Sequence, residues 1–266
     1  LYDDAIEELD EQLHSEFKGF LIESRDAFAA PGDPPGLLRN YEYKARLKPG
    51  AVPPSQPVRR FGPYMRNVIQ AEAEKLIKQG VFVPAKTATC ENPIILVKKK
   101  CTDPTEPPRW RIVSDLRAFN NAIQPLYQEY RVKAYSDLID TCTGKKFYAT
   151  IDLQSAFFNV PIHDEATREL LAFTLPTGLR LTYSRCPQGA FNSPSCLEAI
   201  LADVLHEENF RNLVVYLDDL ILFEDSQKAL LDTLKVVVNK LKATGFKISP
   251  KKCSLFKKEV HYLGHY

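Results

Sequence analysis

Tyr216-Leu217-Asp218-Asp219 lies between two short apolar runs, Leu213 to Leu217 and Leu220 to Phe223. Each run is rich in Val, Ile, Leu and aromatics and has the length of a buried strand. The pair therefore reads as a β-hairpin with carboxylates at its tip. A solvated turn accounts for one such acid, because Asp favours tight turns. Two adjacent carboxylates, however, repel each other unless a cation neutralises them. A third acid, Asp152, closes a second strand-like run, Phe147 to Leu153, and Gln154 to Phe158 then leaves the alternating pattern as a strand entering a turn does. Alone, a single Asp at a strand end is most simply a cap or turn former. With Asp218 and Asp219 it makes a candidate ligand set for Mg²⁺, which takes oxygen from a few carboxylates and from substrate phosphates. Two such ions about 4 Å apart can activate an attacking oxygen and stabilise a leaving one.

Ile151-Asp152-Leu153, Pro187-Gln188-Gly189 and Tyr216-Leu217-Asp218-Asp219, in that order, resemble motifs of the reverse transcriptase of LTR retroelements, the gypsy-class retrotransposons and retroviruses. The resemblance runs from about residue 45 to 266. It implies an α+β fold, the fingers and palm of a right-hand polymerase with the thumb absent. The implied division is a leader or linker at 1–45, fingers at 46–124 and 160–192, and palm at 125–159 and 193–266. The implied activity is RNA-directed DNA polymerisation on a primed RNA or DNA template with deoxynucleoside triphosphates. Two Mg²⁺ ions (Mn²⁺ as an alternative) would sit on Asp152, Asp218 and Asp219, and Lys252 would act as general acid, with Lys251 a neighbouring candidate.

The remaining segments carry the rest of the pattern. Pro93 to Val97 reads as a strand followed by Lys98-Lys99-Lys100, and Trp110 to Ser114 as a second strand across the polar stretch Cys101 to Arg109. Lysines at a strand end are most often simply solvated. Two strands bringing Lys99 and Arg111 together would instead clamp a triphosphate, with lysine as a point charge and arginine as a fork. The resemblance assigns them that role, and Asp115-Leu116-Arg117-Ala118-Phe119-Asn120 matches the family's Asp-x-Arg-x-x-Asn segment. It also sets Gln188 and Gly189 at the incoming nucleotide, in a Pro-Gln-Gly form similar to retroviral enzymes. Phe157 falls under the nucleotide sugar, where a ring would exclude a 2′-hydroxyl, and Phe158 reads as core. Val260-His261-Tyr262-Leu263-Gly264 resembles the approach to the primer grip, so Leu263 and Gly264 would touch primer.

Helical spacing is read in Leu9, Leu13, Phe17, Phe20 and Leu21, in Arg66 to Gln79 before Gly80, in Ser195 to Glu207, and in Gln227 to Gly245. These stripes are most simply core packing. Basic and acidic residues balance, 35 against 34, so net charge says nothing about nucleic acid; the distribution does, with eight acids in 1–24 and eight lysines in 235–258. The six cysteines form no CxxC pair or zinc spacing. No apolar run approaches 20 residues, and the expectation is an intracellular protein, cytoplasmic or in a retroelement particle with the nucleus as an alternative, that does not enter a membrane. Two rival readings remain open at this point. An RNA-directed RNA polymerase shares the palm chemistry but would welcome a 2′-hydroxyl, and a non-catalytic nucleic-acid-binding remnant need not keep three acids.

Overall fold

The structure, a computed structural model, describes residues 1–87, 89–99, 108–127, 141–206 and 212–260. Along the chain run α1 (Tyr2–Ile6), α2 (Glu11–Glu23), α3 (Pro63–Lys78), β1 (Phe82–Pro84), β2 (Ile94–Lys98), β3 (Trp110–Ser114) and α4 (Arg117–Ala122). There follow β4 (Phe147–Asp152), α5 (Ala156–Asn159), α6 (Glu165–Leu170), β5 (Phe173–Thr174), β6 (Arg180–Tyr183), α7 (Ser193–Val204), β7 (Leu213–Tyr216), β8 (Asp219–Glu224), α8 (Gln227–Thr244) and β9 (Ser254–Lys257). The chain divides into two compact units: Leu1–Tyr41 with Gln128–Asn159 and Pro194–Tyr266, and Glu42–Tyr127 with Val160–Ser193. No helix among the described residues is long and apolar enough to cross a membrane.

The first unit is built on a four-stranded antiparallel sheet in the order β7-β8-β4-β9. Leu220, Ile221, Leu222 and Phe223 of β8 are all buried, so successive side chains are covered on both faces, which is why this strand reads as an unbroken apolar run. Against the sheet lies α8, whose Leu230, Leu234, Val237, Val238 and Leu241 are buried at the spacing the sequence predicts. Ser226 caps its start by accepting from Ala229 N, and Gly245 ends it at φ 102°, a left-handed conformation that glycine adopts without strain. The N-terminal segment expected as a leader or linker packs into this unit. Phe17 of α2 meets Phe256 edge-on at 5.3 Å, and Gln227 takes Asp10 N and donates to the Glu8 carbonyl.

The second unit holds two smaller sheets, β1-β6-β5 and the hairpin β2-β3. Phe82, Phe173 and Tyr183 form its aromatic centre, with ring centroids 4.8–5.5 Å apart. Proline at the first position of α3 suits a site whose N–H has no helical partner. Among the described residues, Cys90, Cys142, Cys186, Cys196 and Cys253 take part in no disulfide.

Candidate active site

The hairpin β7-β8 turns on Leu217 and Asp218, and its first paired residues are Tyr216 and Asp219. Leu217 takes φ 55°, a region that side-chain-bearing residues seldom occupy, so the acids sit on a strained turn. On the other side of β8, Asp152 at the end of β4 is the direct register partner of Asp219. Strand pairing therefore gathers at one sheet end acids that are 66 or more positions apart in the chain. Burial pushes the Asp152 carboxyl above its ordinary value, Lys252 opposes the rise, and the charge of Asp218 adds to it. Asp219 is exposed at the hairpin tip, yet its carboxyl too is pushed up, first by desolvation and then by Asp218 and Asp152.

Of the two adjacent lysines, it is Lys252 that reaches the acids. A short 3₁₀ turn, Pro250–Lys252, presents its Nζ to Asp152 Oδ2 at 2.9 Å and Oδ1 at 3.2 Å. Ser249 N donates to the Asp152 carbonyl at 2.9 Å, fixing the segment that carries the lysine to the strand that carries the acid.

Beyond Asp152 the chain turns through Ser155, at φ 49°, into the single helical turn α5. Phe157 and Phe158 lie on this turn and both are half-buried, so Phe158 is not the core residue expected. The buried residues of the turn are Ala156 and Asn159, and the role of Asn159 was not announced by the sequence.

In the second unit, Lys99 follows β2 directly and its N–H donates to the Arg109 carbonyl at 2.8 Å. Arg111 stands opposite Val97 on β3. Desolvation lowers the Lys99 ammonium, and the charges of Lys75, Arg111 and Arg109 lower it further against Glu72. This is a concentration of positive charge that favours an anion. Arg111 Nη1 donates to Gln188 Oε1 at 3.1 Å, which joins two sequence-predicted residues. Asn120 holds the same loop with both ends of its amide, Nδ2 to the Gly189 carbonyl at 2.9 Å and Oδ1 from Phe191 N at 2.8 Å. Gly189 sits at φ 88°, where the loop needs glycine. Asp115 binds Arg117 through Nε and Nη2 at 2.8 and 2.6 Å and Arg59 at 2.5 Å. The Asp-x-Arg-x-x-Asn spacing thus contains an ion-pair anchor and a loop clamp. Leu263 and Gly264 lie outside the described residues.

The acids fit a divalent cation by their chemistry. They are oxygen donors at one sheet end, and burial and neighbouring carboxylate charge raise the proton affinity of Asp152 and Asp219, a cost that bound cation charge would offset. Among the described residues no three such side chains converge on a single metal position.

The fold is mixed, with carboxylates at one hairpin tip and on the adjoining strand. The chain belongs to the reverse transcriptase (RNA-dependent DNA polymerase) family, whose profile matches residues 97–266. It is 28% identical over 96% of its length to the retrovirus-related Pol polyprotein from transposon 412 of Drosophila melanogaster, and 32% identical over 82% of its length to the Pro-Pol polyprotein of feline foamy virus. It spans 20% and 18% of those two relatives. The foamy viral protease-reverse transcriptase solved in complex with an RNA/DNA hybrid superposes with a TM-score of 0.84 at 25% identity, over 99% of this chain and 34% of that one. A second foamy-virus protease-reverse transcriptase, from prototype foamy virus, gives 0.83 at 28% identity over 99% of this chain and 33% of that one. The fold is thus the fingers-and-palm region of a reverse transcriptase, and the chain is similar to Pol proteins of both transposons and retroviruses.

Proposed function

We propose that this chain performs RNA-directed DNA polymerisation, the first unit acting as palm and the second as fingers. The observation that carries the reading is the pairing of Asp152 with Asp219 across β4 and β8, with Asp218 at the adjoining turn. A primer 3′-hydroxyl attacks the α-phosphate of a deoxynucleoside triphosphate, and pyrophosphate leaves. Two Mg²⁺ ions, held by Asp152 and Asp218 with Asp219 completing the negative site, would supply charge to the attacking and leaving oxygens. Lys252, already hydrogen-bonded at Asp152, is the candidate donor of a proton to the leaving group. Lys99 and Arg111 neutralise triphosphate oxygens, and Gln188 and Gly189 shape the nucleotide side of the fingers loop. Phe157 selects the sugar by exclusion, because burying an unpaired hydroxyl costs about 1–3 kcal/mol before any steric overlap. Leu263 and Gly264 contact primer. Template and primer are held through phosphates and duplex shape, which makes binding salt-sensitive. The protein works inside the cell, where its primed template and nucleotides are found.

The test is primer extension on an RNA template with each of the two sugar types. Expected are Mg²⁺-dependent products with deoxynucleotides and little product with ribonucleotides. Equal use of both sugars would favour an RNA-directed RNA polymerase, and binding without extension would favour a non-catalytic remnant.

A further inference from the structure

One helical turn does not hold itself, because nucleation fixes several residues for a single hydrogen bond. Yet α5 is only four residues long and must keep Phe157 in place close behind Asp152. The structure supplies the missing bonds from Asn159. Its Nδ2 faces three backbone carbonyls of the turn, Gln154 at 2.9 Å, Ser155 at 3.2 Å and Ala156 at 3.1 Å. The side chain is fully buried, and its Oδ1 accepts no hydrogen bond. A buried amide with every contact on its donor end is present for that end, since the idle oxygen carries a desolvation cost.

The same residue is fixed from behind. Leu38 N donates to the Asn159 carbonyl at 2.9 Å. A Cβ at Gly36 would overlap both Asn159 Oδ1 and the Gly245 carbonyl oxygen, so the N-terminal strap passes as close to Asn159 as backbone allows. Gln154 N in turn donates to the Lys247 carbonyl at 2.8 Å. The turn carrying Phe157 is thus tied at its start to the segment after α8 and clamped from within by one side chain.

We infer that Asn159 is the positioning residue for Phe157, and that the sugar selectivity assigned to Phe157 depends on the three-carbonyl grip of the Asn159 amide. This rests on the reading of Phe157 given above. Asn159 touches neither nucleotide nor metal in this scheme and acts only through the turn.

The experiment measures incorporation efficiency of deoxy- and ribonucleotides by the intact protein for the parent, Phe157→Ala, Asn159→Ala, Asn159→Ser and the double variant Phe157→Ala/Asn159→Ala. Thermal unfolding is followed for each. Expected is a rise in relative ribonucleotide use of roughly tenfold for Asn159→Ala, the scale of losing a buried hydrogen-bonded anchor, with a smaller rise for Asn159→Ser, which keeps one donor. In the Phe157→Ala background the second substitution should change the ratio by less than about twofold, because contacts in one network do not add. A general loss of stability would not move the sugar ratio or abolish additivity. If Phe157→Ala shifts the ratio while folded Asn159→Ala leaves it unchanged, or if the two effects multiply, the positioning role is wrong and the Phe157 reading stands. If Phe157→Ala itself leaves the ratio unchanged, both are wrong. If neither Asn159 variant folds, the amide is a determinant of folding and the positioning role is overturned.

Discussion

Two buried or half-buried aspartates, Asp115 and Asp152, show opposite electrostatics. Hydrogen bonds from Arg117 hold the Asp115 carboxyl at about 2, below its ordinary 3.8, with the charges of Arg117 and Arg59 adding to the effect. A carboxylate with a depressed folded pKa stabilises the fold above its unfolded value, and that stability drains as pH falls from about 4 towards 2. Asp152 has the other sign: its carboxyl is raised, chiefly by burial, so its ionised form opposes folding and the cost vanishes as the group is protonated. The exposed ammonium of Lys252 offsets little of this, since solvent screens such a pair. Unfolding measured against pH without divalent cation should therefore show Asp115→Asn losing stability at neutral pH and a flattened acid limb. Asp152→Asn should gain stability at neutral pH. Equal behaviour of the two variants would contradict the assignment of one acid to scaffold and the other to the reaction.

At the scale of elements, the end of α8 and the segment at Leu37 beside it meet at Gly245. Gly245 combines φ 102° with a Cβ position that would run into the Leu37 carbonyl, whereas Gly19, within α2, has open space around it. Gly245→Ala should destabilise by about 2 kcal/mol or more, through strain and a backbone clash together. Gly19→Ala should be neutral or stabilise by up to about 1 kcal/mol, because alanine is the better helix former. Chemical denaturation of both variants checks the pair, and comparable losses would mean that the strap is not packed as described.

The same elements mark what the sequence could reveal. The hairpin runs, the stripe on α8 and the aromatic and aliphatic core of β4 were legible because each is a local pattern with its own period. Register was not: Asp152 meets Asp219 because of how β4 pairs with β8, which no window of either strand contains. Nor was it legible that Lys252, in the 3₁₀ turn Pro250–Lys252, would bring its Nζ to Asp152 Oδ2 at 2.9 Å. Asn120 and Asn159 act through backbone carbonyls and amides, a contact type that leaves no periodic trace in the chain. Phe17 and Phe20 showed an amphipathic helix but not the surface it covers, so the segment read as a leader turned out to be packed into the first unit.

For the whole molecule, the proposed reading assigns each unit its own part of the chemistry, acids and Lys252 in one, cationic hairpin and Gln188 loop in the other. The chain spans about a fifth of the two curated relatives named above. On the proposed reading, backbone contacts would dominate affinity for a primed template while the acids would serve the reacting oxygens, and the two properties should separate cleanly. The decisive measurement is the single-turnover rate of nucleotide addition by Asp152→Asn, beside its affinity for primer–template. Removing the charge that would hold the metal ions should cut the rate by roughly a thousandfold while changing affinity by less than about threefold. A variant that retained a rate within about threefold of the parent would place the chemistry elsewhere and remove Asp152 from the site.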